Sequence, residues 1–199
     1  MAATFSMISA IVVIIVMVLA MILAVQGNNN IINSLLLHSK QLSAKAMQAS
    51  SSFSLVQTIV IPNVNGRIDH MAIDIRAQKL FVAELVNNSL DIIDLKAGKR
   101  IHSINNNIGL LNEPQSVIFI PELNRIFVSN GQDGTVDVFD AKSFSFIKKV
   151  KLPSDDADNI RYDPNSKLVY VGYGEGLLGI INATNYNIIS DIRLSGHPE

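Results

Sequence analysis

Cysteine and tryptophan are both absent from this 199-residue chain. Without cysteine the chain forms no disulfide, no thiolate zinc site and no cysteine nucleophile. Charge is also scarce, at 17% of residues, and the 16 Lys and Arg nearly balance the 17 Asp and Glu. No cluster of basic residues is present that could follow a phosphate backbone, which excludes a basic nucleic-acid-binding domain. We therefore predict no nucleic-acid partner.

No charged side chain precedes Lys40. Residues 7–25 read MISAIVVIIVMVLAMILAV, with Ser9 as the only polar residue. As a helix rising about 1.5 Å per residue, this run would span roughly 28 Å, which is close to the hydrocarbon core of a bilayer. A secretory signal usually has a shorter apolar region of about 7–15 residues and a basic start. We expect residues 1–27 to be an uncleaved signal anchor, with a cleaved signal peptide as the alternative.

The segment 28–53 is predicted to be a linker or juxtamembrane segment. Within it, residues 34–48 could form a short amphipathic helix on the membrane surface or a mobile stalk, and the pattern leaves both open. The Ser-rich stretch 49–54 marks the boundary of the next domain.

From residue 54 onward the sequence repeats. The segments KLFVA (79–83), RIFVS (125–129) and LVYVG (168–172) align, and they place Phe81, Phe127 and Tyr170 in register. About ten residues later each copy has a second apolar run: SLDIIDL, TVDVFDA and LLGIINA. These short runs alternate apolar and polar residues and are bounded by Asn, Asp, Gly and Pro, as strands are.

Four short strands in about 42 residues are typical of one blade of a β-propeller. We therefore predict an all-β fold preceded by an N-terminal hydrophobic helix. It consists of three four-stranded blades, at about 66–104, 113–152 and 156–194, and one extra N-terminal strand at 54–61. Asp94, Asp140 and Asn182 each follow a third strand, where a short acceptor side chain can bond the next turn.

The repeat resembles the YVTN family of β-propellers, in particular its secreted YncE-like members, over residues 54–199. The signature positions read FVAE (81–84), FVSN (127–130) and YVGY (170–173), and DLKAGKR (94–100) matches the family's Asp-x-x-x-Gly-Lys turn. The resemblance implies a ring of about seven blades that is often extracytoplasmic and commonly has no assigned chemistry. Lys40 and Lys45 weakly favour a cytoplasmic C-terminal part. On the resemblance, we instead expect a membrane-anchored extracytoplasmic protein, or a secreted one if the leader is cleaved.

Three blades do not close a propeller, which typically has about 4–8. The sequence thus predicts an incomplete ring, either the N-terminal part of a longer propeller or a truncated one. The alternative is a half-ring that self-associates through its unpaired blade edges.

In a propeller the first strand of each blade lines the central channel. The repeat alignment places three pairs of polar residues at the channel mouth, where we predict a ligand site: Asp69 and His70, Gln115 and Ser116, and Asp158 and Asn159. Carboxylate, imidazole and amide groups in one concavity suit a cation or a small organic ligand.

The predicted function is a non-enzymatic binding or surface scaffold module for a protein, glycan or small-molecule ligand. No catalytic residue and no cofactor is predicted. The alternative is a metal-dependent hydrolase or lactonase-type propeller enzyme, with a divalent metal held at the channel mouth by Asp69, His70 and Asp158.

Overall fold

The computed structural model describes residues 33–41, 54–105 and 109–198. Contacts divide the chain into two compact units, Met1–Val56 and Gln57–Glu199. In the first unit, residues 33–41 form a helix, α1, in which the Ser39 hydroxyl donates to the Leu36 carbonyl oxygen at 2.9 Å. This helix falls in the first half of the predicted helical segment 34–48, whereas residues 42–48 lie outside the described part.

No helix within the described ranges is long and apolar enough to cross a membrane. The apolar run 7–25, and with it the predicted signal anchor, lies outside the described residues.

The second unit contains three four-stranded antiparallel sheets, which confirms the predicted all-β fold with a repeated four-stranded unit. In each sheet the strands follow one another in chain order, so that every pair of neighbours is a hairpin. Sheet 1 comprises β1 (Ile68–Asp74), β2 (Lys79–Glu84), β3 (Ser89–Asp94) and β4 (Lys99–Asn105); sheet 2 comprises β5 (Pro114–Ile120), β6 (Arg125–Asn130), β7 (Thr135–Asp140) and β8 (Phe146–Lys151); sheet 3 comprises β9 (Ile160–Asp163), β10 (Leu168–Tyr173), β11 (Leu177–Asn182) and β12 (Ile188–Arg193).

The turn after each third strand is fixed by a short side chain. Asp94 Oδ1 accepts from the Ala97 amide at 2.8 Å, and Asp140 Oδ1 accepts from the Ser143 amide at 2.9 Å. Asn182 Oδ1 does the same in sheet 3, accepting from Asn185 at 3.0 Å. These three residues have the structural role that the repeat predicts, because a side-chain acceptor satisfies amides that the ladder cannot reach.

The sheets pack face to face through two apolar cores. Neighbouring residues of one strand point to opposite faces, so Ile126 packs towards sheet 1 and Phe127 towards sheet 3. The core between sheets 1 and 2 includes Phe81 and Phe139, and the core between sheets 2 and 3 includes Phe127 and Tyr173. All of these side chains are buried, and sheet 2 is apolar on both faces because both are covered.

The first strands of the three sheets are neighbours: β5 lies against both β1 and β9. Their N-terminal ends meet, because His70 near the start of β1 contacts Gln115 at the start of β5 and lies close to Asp158 just before β9. The polar residues at those ends form the candidate site.

The predicted extra strand at 54–61 is wrong: residues 54–67 form no strand. Val56 and Val60 are 93% and 78% exposed. From Gln57 onward the segment instead runs past the turns of sheet 1, where the Gln57 side chain lies against Gly98 and the Asn65 amide donates to Asn87 Oδ1 at 3.3 Å. β-Branched residues favour a strand only where a neighbouring edge supplies the ladder, and this segment pairs with none.

Candidate cation site

Two carboxylates and one imidazole converge where the first strands meet. Asp69 and His70 lie near the start of β1, and Asp158 lies just before β9. Each of these three side chains offers one potential ligand atom, and the three atoms all lie within 4.8 Å of one another. This spacing is what three side chains need to contact one metal ion, since ligand distances are about 2.0–2.6 Å.

A backbone carbonyl orients the imidazole of His70. The ring nitrogen Nδ1 lies 3.0 Å from the carbonyl oxygen of Gln115 at the start of β5. A carbonyl oxygen only accepts, so in the neutral imidazole this hydrogen bond places the proton on Nδ1 and leaves the lone pair on Nε2. Metal-binding histidines usually have such a partner on the second nitrogen, because it fixes the tautomer and the ring orientation.

Arg67 holds Asp69 in place. Its Nη2 donates to Asp69 Oδ2 at 2.6 Å, while Asp69 Oδ1 lies 3.5 Å from His70 Nδ1. The Asp69 side chain is only 11% exposed, whereas that of Arg67 is 62% exposed. The guanidinium therefore screens one oxygen of Asp69 and leaves the other directed towards His70.

Asp158 supplies an oxygen that has no partner. Its Oδ1 is buried and makes no hydrogen bond to any described group. Burial raises the pKa of Asp158 above the usual aspartate value, and the negative charges of Asp69 and Asp156 raise it further, whereas His70 and Arg67 oppose the shift. A buried, unpartnered carboxylate oxygen costs free energy that a bound cation would recover.

The backbone around Asp158 is firmly anchored. Its amide donates to the Gly172 carbonyl oxygen at 2.9 Å, and its own carbonyl oxygen accepts from the Ser129 hydroxyl. The Ser129 oxygen also contacts the backbone amide and carbonyl of Ser116 in β5. One hydroxyl thus joins β5, β6 and the loop before β9, which carries Asp158.

An acidic groove lies close to the three candidate ligands. Asp156 accepts from Gln115 Nε2 at 3.2 Å, and its other oxygen lies 2.6 Å from His197 Nε2. The groove has a volume of about 390 Å³, and four carboxylates are among its lining residues: Glu113, Asp155, Asp156 and Glu175. Its negative charge attracts cations towards the site.

The six predicted site residues have different places. Asp69, His70 and Asp158 form the cluster, and Gln115 joins it through its carbonyl oxygen. Ser116 is buried behind the cluster, and its hydroxyl oxygen makes no hydrogen bond to a described group. The Asn159 carbonyl oxygen accepts from the Gly172 amide at 2.9 Å, which gives this residue a backbone role.

Two supporting residues were not predicted as part of the site. Arg67 donates to the Asp69 carboxylate and Ser129 donates to the Asp158 carbonyl oxygen, so both hold candidate ligands in place. Ser129 is the third residue of the FVSN segment (127–130), and its small size is the one sequence signal of a close contact at this position. The hydrogen bonds of Ser129 could not be predicted, because they depend on how the sheets pack.

No protein-family model matches the chain, and no curated protein matches it. Among solved structures, the chain is similar to hydrazine synthase from Kuenenia stuttgartiensis, with a TM-score of 0.59 and 12% identity. The match covers 65% of this chain, which spans 38% of the length of that protein chain. At this identity the similarity concerns the fold alone.

Proposed function

We propose that the sheets are consecutive blades of a β-propeller and that the ends of their first strands hold a divalent cation. The cation anchors a ligand in a non-enzymatic binding module. The observation that carries this proposal is the meeting of Asp69, His70 and Asp158, with the buried oxygen of Asp158 lacking a partner. The repeated hairpin order of the sheets and the contacts among β1, β5 and β9 support the propeller arrangement.

The ligand set favours Zn²⁺ or Mn²⁺. Imidazole nitrogen suits zinc and other transition metals, and carboxylate oxygen suits manganese. Calcium takes about six to eight oxygen ligands, and a site with one imidazole and two carboxylates offers fewer. Three protein ligands leave coordination positions open, and an acidic or hydroxyl-bearing group of a ligand could fill them.

Thermal unfolding of the full chain with Zn²⁺, Mn²⁺ or Ca²⁺ tests the proposal. A cation that binds only the folded chain stabilises it by about 2.7 kcal/mol at 100 times its dissociation constant. We expect stabilisation by Zn²⁺ or Mn²⁺ that is lost in His70→Ala and kept in His102→Ala, because His102 lies on β4 outside the cluster. Equal stabilisation of both variants, or none of the wild type, would refute the proposal.

The open coordination positions also favour a second candidate, a metal-dependent hydrolase of the lactonase type. Such an enzyme uses the cation to activate water at a free position. Hydrolysis of a lactone and ester panel that requires added metal, and that His70→Ala abolishes, would establish this activity. Cation binding without turnover favours the binding module.

The apolar run 7–25 supports a membrane anchor. The resemblance to secreted YncE-like propellers supports placing the sheets outside the cytoplasm. Protease accessibility in intact cells tests this location. Digestion of the sheet unit from outside agrees with it, and protection until the membrane is permeabilised contradicts it.

The outer faces of sheets 1 and 3 support self-association. Met71 and Ile73 of β1 are 58% and 49% exposed, and Ile192 of β12 is 46% exposed. Apolar sheet faces of this kind are covered in stable assemblies.

A further inference from the structure

The last residue of the second strand occupies the same place in all three sheets: Glu84 in β2, Asn130 in β6 and Tyr173 in β10. All three side chains are at most 1% exposed. A polar group in such a place must find a hydrogen-bond partner inside the protein.

In sheets 2 and 3 this residue donates to an aspartate. Asn130 Nδ2 donates to Asp137 Oδ2 of the third strand, β7, at 3.0 Å, whereas the Tyr173 hydroxyl donates to Asp191 Oδ1 of the fourth strand, β12, at 2.6 Å. An amide and a phenol are both permanent donors at neutral pH.

Sheet 1 has a carboxyl group in this place. Asp91 of β3 is the counterpart of Asp137, and its side chain is fully buried. An ionised Glu84 has no proton to donate, so the repeat would lack its donor in this sheet alone.

The hydrogen bonds of the two carboxyl groups leave one oxygen free on each. Glu84 Oε2 accepts from the Ser89 hydroxyl at 2.7 Å and from Asn87 at 3.1 Å. Asp91 Oδ2 accepts from Arg100 Nη1 at 2.7 Å. Glu84 Oε1 and Asp91 Oδ1 are both buried and make no hydrogen bond to a described group.

We propose that Glu84 keeps its proton in the folded protein and donates it from Oε1 to Asp91 Oδ1. Sheet 1 thus contains a buried proton-binding site. The proton makes Glu84 a hydrogen-bond donor, as the Asn130 amide is in sheet 2 and the Tyr173 hydroxyl is in sheet 3. One proton satisfies both free oxygens and removes the repulsion between two buried carboxylates.

The charges around the pair agree with this assignment. Arg100 on β4 bonds Asp91, which keeps the negative charge on that aspartate. Ser89 and Asn87, which contact Glu84 from β3 and the preceding turn, carry no charge. On the β1 side Ile68 pairs with Glu84, and the neighbouring Arg67 is engaged by Asp69.

The proton makes the stability of the fold depend on pH. Burial raises the pKa of Glu84, and the neighbouring Asp91 raises it further. The hydrogen bonds from Ser89 and Asn87 lower this pKa but do not cancel the rise. A group whose pKa is higher in the folded chain stabilises the fold fully below its unfolded pKa. That contribution is lost as the pH rises from the ordinary glutamate range through the raised value.

Glu84→Gln tests the assignment, since glutamine donates at every pH. We expect the free energies of unfolding of the wild type and the variant to converge at acidic pH. As the pH rises, the variant should become increasingly the more stable of the two. The reciprocal change, Asn130→Asp, places a carboxyl group beside Asp137 and should introduce the same loss of stability with rising pH in sheet 2. Parallel profiles of Glu84→Gln and the wild type would overturn the proposal.

Infrared spectroscopy of the full chain gives a readout that does not depend on stability. We expect a carbonyl band of a neutral carboxylic acid in the wild type at neutral pH, and its absence in Glu84→Gln. If the variant does not fold, titration of the wild type decides: the band must persist above the pH range in which an ordinary glutamate ionises. Loss of the band within that ordinary range would also overturn the proposal.

Discussion

Among the residues of the candidate site, Asp158 combines a buried carboxylate oxygen with two acidic neighbours, Asp69 and Asp156. A cation needs the ionised carboxylate of Asp158 and the free lone pair of His70, so protons compete with it at both ligands. Because burial and these neighbours raise the pKa of Asp158, we expect cation affinity to fall as the pH decreases through that raised pKa. The fall should begin at a higher pH than for an ordinary aspartate. Calorimetric titration at a series of pH values measures this profile and the protons released.

A neighbouring acidic residue provides the control. Asp155→Asn removes an exposed carboxylate one residue from Asp156 and should leave the pH midpoint of cation binding in place. Affinity that stays constant down to the ordinary aspartate range would contradict the role given to Asp158.

The sequence could bring the three candidate ligands together because they occupy equivalent places in the first and third copies of the repeat. Alignment of the copies brings Asp69, His70 and Asp158 to the same ends of successive first strands. It could not identify Glu84 as a proton donor, because that role follows from burial and from the bonds of Ser89 and Arg100. Those contacts cross between strands and cannot be derived from spacing along the chain.

At the scale of elements, the Ser129 hydroxyl connects β5, β6 and the loop before β9. Ser129→Ala removes these hydrogen bonds from a buried place. We expect a loss of about 1–3 kcal/mol in the free energy of unfolding, because buried partners are left unsatisfied. Cation affinity should also fall, since the loop carries Asp158. Ser190→Ala, on the exposed face of β12, should change neither quantity in denaturant unfolding and calorimetry.

If Ser129→Ala unfolds like the wild type and binds the cation equally well, Ser129 does not position the site.

The packing of sheets 2 and 3 depends on Phe127 of β6. This side chain is fully buried, whereas Phe146 of β8 is 43% exposed. We expect Phe127→Ala to lower the free energy of unfolding by about 3–5 kcal/mol, because it leaves a cavity in the core between the sheets. Phe146→Ala is the matched control and should cost much less in the same denaturant titration. Similar losses for the two variants would contradict the face-to-face packing of the sheets.

The strands of the three sheets were predictable from the alternation of apolar and polar residues along the chain, and the wrongly predicted strand at 54–61 shows the limit of that alternation. Alternation of apolar and polar residues between turn residues predicts each strand of the three sheets. The segment SLVQTIVI at 54–61 has the same composition and forms no strand. A strand-like composition shows that the side chains of a segment suit a sheet. Whether the segment forms a strand also depends on a neighbouring strand with which it can pair, and the local sequence does not show that neighbour.

At the scale of the whole molecule, the outer faces of sheets 1 and 3 carry exposed Met71, Ile73 and Ile192. We expect the chain to self-associate with rising concentration, because association removes this apolar surface from water. Light scattering with size-exclusion chromatography measures the mass. Met71→Lys combined with Ile192→Lys should shift the protein to the monomer and leave its circular dichroism unchanged. A monomeric wild type at all concentrations would contradict the expectation.

Isothermal titration of the full chain with Zn²⁺ and Mn²⁺ shows whether Asp69, His70 and Asp158 together hold one divalent cation. We expect one cation to bind per chain for at least one of the two ions. We also expect His70→Ala to weaken binding by at least about 10–100-fold, which is the loss that follows removal of a supporting partner in metal sites. Absence of binding by both ions, or binding that is unchanged in His70→Ala, would show that the three residues do not form a cation site.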